Sequence, residues 1–254
     1  IIEPNPTPVA SSNAKWIKGF FDGDFVSNTH YDCYVHSHLF EHIYDPCKFM
    51  SELSAYMEEG DKLIFTLPNM QEMLERNYTN CLNFEHTFFV TEPYIEYLMA
   101  KFGLEIVEKQ YFMEDHSIFY VAIRRLNVTK KELSPSLYQL NKNLFLNFIK
   151  NHNDMIRDYN DKLARTESPI YLFGAHVFSQ FLIQMGLDTT KIVNILDNDK
   201  NKQGKRLYGS SLFVKSPKIL QDVVSPQIIL KAGVYNGEIK KDILENINTN
   251  ACFL

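Results

Sequence analysis

The apolar residues of this chain gather in short runs that alternate with longer stretches of helical spacing. Ile1-Ile2-Glu3-Pro4 reads as the apolar end of a strand with an acid at its tip. Pro6 to Lys15 reads as a short helix, and Trp16 to Phe21 as a short strand running into Asp22-Gly23-Asp24. Tyr31 to Val35 alternates as a strand, with His36-Ser37-His38 at its exit. Asp45-Pro46 has the order of an N-cap followed by a first-turn proline, which predicts a helix to about Met57. Gly60-Asp61 ends that helix, and Lys62 to Leu67 reads as a buried strand closed by Pro68-Asn69. Thr91-Glu92-Pro93 opens a helix with Ile95, Leu98, Met99 and Phe102 at helical spacing, and Gly103 stops it. Glu105 to Phe112 and Ser117 to Ile123 read as two successive strands joined by Met113-Glu114-Asp115-His116.

From Pro135 to about Leu163 the apolar positions recur near a 3.6 period, as one long amphipathic helix or a broken pair. Ile170 to Ala175 then starts a fresh strand, tight turn and helix, and Ile192 to Leu196 is a strand ending in Asp197-Asn198-Asp199. A polar loop with Gly204 and Gly209 follows, then a helix from Ser216-Pro217, a strand from Gln227 to Lys231 and a last helix near Gly237 to Asn246. Strands that alternate with helices point to an α/β sheet, and two successive strands imply an antiparallel edge.

Composition narrows the picture. The 254 residues favour two domains over one, and 45% hydrophobic with 22% charged residues is ordinary globular usage. A net charge of -5 with no basic stripe argues against a nucleic-acid partner. No apolar run reaches the ~20 residues of a membrane span and no leader pattern is present, so no membrane partner is expected and a cytoplasmic location is. Four cysteines without a CxxC pair fit neither a zinc ribbon nor a disulfide framework.

Several residues carry candidate chemistry. Glu3, at a strand tip, suits the vicinal hydroxyls of a ribose because a carboxylate accepts two hydrogen bonds; a surface acid is the plain alternative. Glu85-His86 pairs a carboxylate with an imidazole able to take a proton at neutral pH, the alternative being a loop in which both satisfy backbone groups. His36, His38, Glu41 and His42 are of metal-ligand type, but side chains of a strand turning into a loop diverge and no distant set completes them. No metal is expected. Gly174-Ala175-His176, at a strand-to-helix turn, can receive a phosphate, with charge added by Lys202, Lys205 and Arg206; one glycine does not indicate NAD, and structural packing explains it equally.

The order of Tyr31 to Ile43, then Asp45-Pro46, then Glu59 to Asn69 resembles the fourth-to-fifth-strand block of class I S-adenosylmethionine (SAM) methyltransferases. That resemblance implies SAM as cofactor, with Glu3, Phe21, His36, Ser37 and His38 near it and Glu41 and His42 orienting the loop that follows. Asn83 to Thr91 and Gly103 to Val107 resemble the narrower group of nucleotide-sugar C-methyltransferases, which implies His86 as general base with Glu85 as its partner. In that group a Tyr tends to stand where this chain has Asn83, and a His-Gly-Gly turn where it has Glu114-Asp115-His116. Carbon, oxygen and nitrogen therefore stay open as methyl acceptors.

Phe173 to His176, Asp197 to Lys205, Tyr208-Gly209, Ser216-Pro217 and Tyr235 to Ile239 resemble the Rossmann-like C-terminal domain of the same group. The expectation is an α/β fold in three parts. Residues 1–126 form a partial class I methyltransferase (Rossmann-like) sheet with an antiparallel edge strand, 127–167 a helical connector, and 168–254 a second, smaller Rossmann-like α/β domain. Because the chain opens on Ile1 with an acid-tipped strand, the first strand and its glycine-rich loop are expected upstream, and the chain as given is expected to bind SAM weakly. The implied activity is methyl transfer from SAM to a nucleotide-activated sugar or related cell-surface polysaccharide precursor, with Asn83, His116, Gly174, His176 and Lys205 at the substrate. The competing reading is a truncated or degenerate domain that binds a sugar nucleotide or a partner protein without turnover.

Overall fold

A computed structural model describes residues 1–8, 13–21, 29–83, 85–113 and 116–254. The chain forms two compact units. One comprises Ile1–Pro68, Thr87–Phe112 and Ser117–Leu133, the other Asn69–His86, Met113–His116 and Ser134–Leu254.

The first unit opens with β1 (Ile2–Glu3) paired in parallel with β2 (Ile17–Lys18). Of the helix expected over Pro6–Lys15, residues 9–12 lie outside the described residues and the rest is not helical; Asp22-Gly23-Asp24 also lies outside them. β3 (Cys33–Ser37) runs two residues past the expected end, so that His36 and Ser37 belong to the strand. α1 (Pro46–Tyr56) starts where the Asp45 carboxylate accepts the Lys48 amide at 2.9 Å, the local bond its sequence called for.

β4 (Lys62–Pro68) pairs in parallel with β3. After α3 (Glu92–Lys101), β5 (Leu104–Phe112) and β6 (Ser117–Arg124) complete a sheet of order β3-β4-β6-β5. The expected antiparallel pair closes the sheet, with β6 as its inner strand, antiparallel to both neighbours. Gly103, at φ +74°, makes the left-handed stop after α3; a Cβ there would lie 1.8 Å from the Arg124 guanidinium.

Period-two burial decides what each strand presents. Leu63, Phe65 and Leu67 of β4 turn to a core shared with Met50 and Leu53 of α1, Ile95 and Met99 of α3, and Tyr120 of β6. Phe65 and Tyr120 are register partners with rings stacked at 4.9 Å. His36 points to the same core, with the rings of Phe40, Phe49 and Phe65 5.4–6.3 Å from its own. Burial holds its imidazole down to about 4 from an ordinary 6.5, against the opposing pull of the Glu41 carboxylate.

In the second unit α2 (Met70–Glu75), too short to show a period in sequence, buries Met70, Met73 and Leu74 against Phe148 of α4 (Leu137–Arg165), a single unbroken helix. β7 (Ile170–Phe173), α5 (Val177–Gln184), β8 (Ile192–Leu196), β9 (Val214–Lys215), β10 (Gln227–Leu230), α6 (Asn236–Asp242) and β11 (Cys252–Phe253) follow. The helix expected from Ser216-Pro217 is a single 3-10 turn over Pro217–Leu220.

The sheet order is β11-β10-β7-β8-β9, parallel throughout, with the first strand in the centre as in a Rossmann sheet. All four β7 residues are buried: Ile170 and Leu172 join one apolar cluster, Tyr171 and Phe173 another. A central strand covered on both faces reads as a continuous apolar run, which is why it stood out in sequence.

Two outcomes test this account. Leu172→Ala, at a fully buried position, should cost the second unit about 2–5 kcal/mol in chemical denaturation, and an unmoved midpoint would contradict the packing described. For His36, the unfolded imidazole takes up a proton near pH 6.5 while the folded one resists until about 4. The stability that the neutral ring contributes is therefore present above 6.5 and lost as the pH falls towards 4. His36→Phe should flatten the stability profile in that window; a slope equal to that of the parent refutes the assignment.

Candidate functional site

In an open α/β sheet ligands collect beyond the carboxyl ends of the strands. In the first unit that is where β1 ends in Glu3 and β3 in Ser37. Glu3 is exposed, and one of its carboxylate oxygens accepts the Asn5 amide at 3.3 Å. Phe21, expected beside the cofactor, packs edge-on against Phe49 and Tyr56, with centroids at 6.0 and 5.4 Å.

The three residues expected together at the β3 exit separate. Pleating sends His36 into the core, while Ser37 and His38 stay on the exposed side. The Ser37 and Thr66 hydroxyls are 2.7 Å apart, and Thr66 also accepts the His38 amide, through its carbonyl at 3.2 Å and its hydroxyl at 3.3 Å. His38 turns the chain with φ +47°, a left-handed conformation uncommon outside glycine.

Its ring lies between two polar groups: Nδ1–H donates to Glu41 at 3.1 Å, and the Ser117 hydroxyl stands 3.1 Å from Nε2. Glu41 is only 2% exposed. Burial pushes its carboxyl up, but the His38 hydrogen bond and the nearby His38 and His42 rings leave it below the ordinary carboxylate range. Its backbone carbonyl accepts the Thr87 amide at 2.9 Å and Ile43 accepts the Thr87 hydroxyl at 2.8 Å, which ties the Glu41 turn to the loop that approaches α3. Thr66 and Ser117, the partners that fix this exit, had no local signal in sequence because they come from strands 28 and 79 residues away.

In the second unit Asn83 builds a turn: its carbonyl accepts the His86 amide at 3.1 Å and its side-chain oxygen the Glu85 amide at 3.2 Å. The His116 carbonyl accepts the Asn69 amide at 3.0 Å; Glu114 and Asp115 lie outside the described residues.

Gly174, at φ +104°, makes the turn from β7 into α5, and the three amides of that turn are all engaged within the protein. Gly174 donates to the Leu196 carbonyl at 2.7 Å, Ala175 to the Asp197 carboxylate at 2.8 Å and His176 to the Gly174 carbonyl at 2.9 Å. Asp197 stands just past the end of β8, where its carboxylate meets the turn. Lys202 reaches the same carboxylate at 3.4 Å.

Beside this turn lies a cavity of about 530 Å³. Glu85, His176, Lys202, Lys205, Arg206 and Tyr208 face it over a floor that includes the buried Leu207 and Val214. The structure thus brings Glu85, His176 and Lys205 together. Burial and the Lys202 charge lower the His176 imidazole, with Asp197 and Glu85 pulling the other way.

Residues 2–109 match a family model described as a methyltransferase domain. No curated protein sequence matches the chain. Among solved structures it is similar to an O-methyltransferase family protein from Burkholderia thailandensis, with TM-score 0.35 and 10% identity over 44% of this chain and 36% of that one. It is similar to a SAM-dependent methyltransferase from Clostridium acetobutylicum, with TM-score 0.35 and 12% identity over 44% and 65%. An N-methyltransferase from Bradyrhizobium japonicum gives 0.32 and 13% over 43% and 59%. The match thus spans between about a third and two thirds of those chains. Among the described residues no helix is long and apolar enough to cross a membrane.

Proposed function

We propose that this protein transfers the methyl group of SAM to a nucleotide-activated sugar or a related cell-surface polysaccharide precursor. The observation that carries this reading is the position of Glu85. A chain with a methyltransferase domain also holds a cation-lined cavity of nucleotide size, and the acid of the Glu85-His86 pair lines it.

The residues present suit the cofactor. Glu3 offers an exposed carboxylate at a strand end for the two ribose hydroxyls, and Ser37 and His38 line the exit of β3. Bound SAM supplies an electrophilic methyl group. His86 takes the proton from the acceptor atom, since a neutral imidazole is a competent base near pH 7, and Glu85 beside it in sequence favours the protonated ring that results. Asn83 shapes the turn that presents both.

Calorimetric titration of the full-length protein with SAM should show saturable binding displaced by S-adenosylhomocysteine. His86→Ala should reduce turnover about 10²–10⁴-fold while SAM binding stays close to that of the parent. Absence of SAM binding sinks the enzymatic reading and leaves a non-catalytic binding domain; unchanged turnover in the variant removes His86 as the base.

A further inference from the structure

By sequence, Asn69–His86 falls inside the stretch matched to a methyltransferase domain, residues 2–109, yet it folds with Ser134–Leu254 in the second unit. This segment carries Glu85 and His86, so what it packs on decides where that pair stands.

In an open parallel sheet, the crevice where the strand order reverses is the place a ligand ordinarily enters. Here the reversal lies at β7, which has β8 and β9 on one side and β10 and β11 on the other. The exit of β10 is met by the protein itself. Thr79, 1% exposed, donates its hydroxyl at 2.8 Å to the carbonyl of Lys231, one residue past β10, across 152 positions of sequence. Gly233, at φ +58°, permits the close approach: a Cβ there would stand 3.4 Å from the Tyr78 ring and 3.5 Å from the Asn80 side-chain oxygen. At the other end of the loop, Glu85 lines the same cavity as His176, in the turn that follows β7. The loop therefore runs from the exit of β10 to that of β7.

Between those ends it is tied down repeatedly. The Tyr78 amide donates to the Met73 carbonyl of α2 at 2.9 Å, and the Asn77 side-chain oxygen accepts Asn151 of α4 at 3.1 Å. The Cys81 amide donates to the Tyr78 carbonyl at 3.1 Å, and its buried thiol donates to the Met70 sulfur at 3.2 Å. The Asn83 turn then receives the amides of Glu85 and His86.

We propose that Thr79 is a positioning residue for His86, fixing to the second sheet the loop that presents the base. Proton transfer requires heavy atoms within hydrogen-bond reach, and a misplacement of about 1 Å can cost about 10²-fold in rate. A segment that is neither helix nor strand reaches such precision by being anchored. The Thr79 bond is buried, so a shift of the loop leaves the Lys231 carbonyl without water to replace the lost hydroxyl. The inference rests on the proposed function for the role of His86 as base.

The test is NMR of the full chain carrying 13C-labelled histidine, with the His86 signal identified by its loss in His86→Gln, together with amide hydrogen exchange over residues 76–86. Thr79→Val, which keeps the shape of the side chain and removes its hydroxyl, should shift the His86 ring signal and speed exchange of the Glu85 and His86 amides about tenfold. Thr79→Ala, which adds no methyl against the carbonyl, should give the same two changes. Thr79→Ser, which restores the hydroxyl, should return both to the parent values. Leu172→Ala weakens the core of the same unit and should leave the His86 signal of the folded protein in place.

A His86 signal and exchange rates unaltered in both hydroxyl-free variants overturn the proposal, as does a shift that Leu172→Ala reproduces or Thr79→Ser fails to reverse. The Thr79 effect in a protein that binds no SAM would sink the methyl-transfer reading and leave the anchoring of His86 standing.

Discussion

Two parallel strands cannot be joined by a tight turn: the chain must cross over and return to the end from which it started. Every parallel strand therefore delivers its carboxyl end to the same edge of its sheet, and chemistry scattered in sequence is gathered there. In the first unit this brings Ser37 and His38 of β3 beside Thr66 of β4. In the second it sets the Gly174 turn of β7 beside Asp197 of β8. A single constraint on connectivity thus gathers these side chains at both sheet edges.

At both edges a carboxylate of the protein occupies a position of consequence. Glu41 is buried and holds the His38 ring, while its own backbone pins Thr87. A buried acid is costly unless it is hydrogen-bonded, and the left-handed His38 is the residue that supplies the bond. Asp197 accepts the Ala175 amide at the turn, and Lys202 reaches the same carboxylate.

The strands and helices that sequence made legible are those whose burial repeats over several residues. Lys62–Leu67, Ile95 to Met99 and the run before Gly174 carry such a repeat, and Asp45-Pro46 states its own helix start through a bond three residues long. β9, β11 and α2, of two, two and six residues, carry no repeat and were not visible. His36 parts from Ser37 and His38 for a comparable reason: extending the strand by two residues hands the decision to the pleat, and the pleat alternates.

By itself the sequence determined the α/β alternation, the capped start of α1, the glycine stops and the residue types available for chemistry, because each of these depends on neighbours within a few positions. Only the tertiary structure decided which of those residues meet. Ser117 reaches His38 across 79 positions, and Asp197 closes the Ala175 amide across 22. Glu85 faces a cavity whose other walls lie about a hundred residues further along the chain. Such encounters are fixed by strand order and crossover, and neither leaves a local trace in the order of the amino acids.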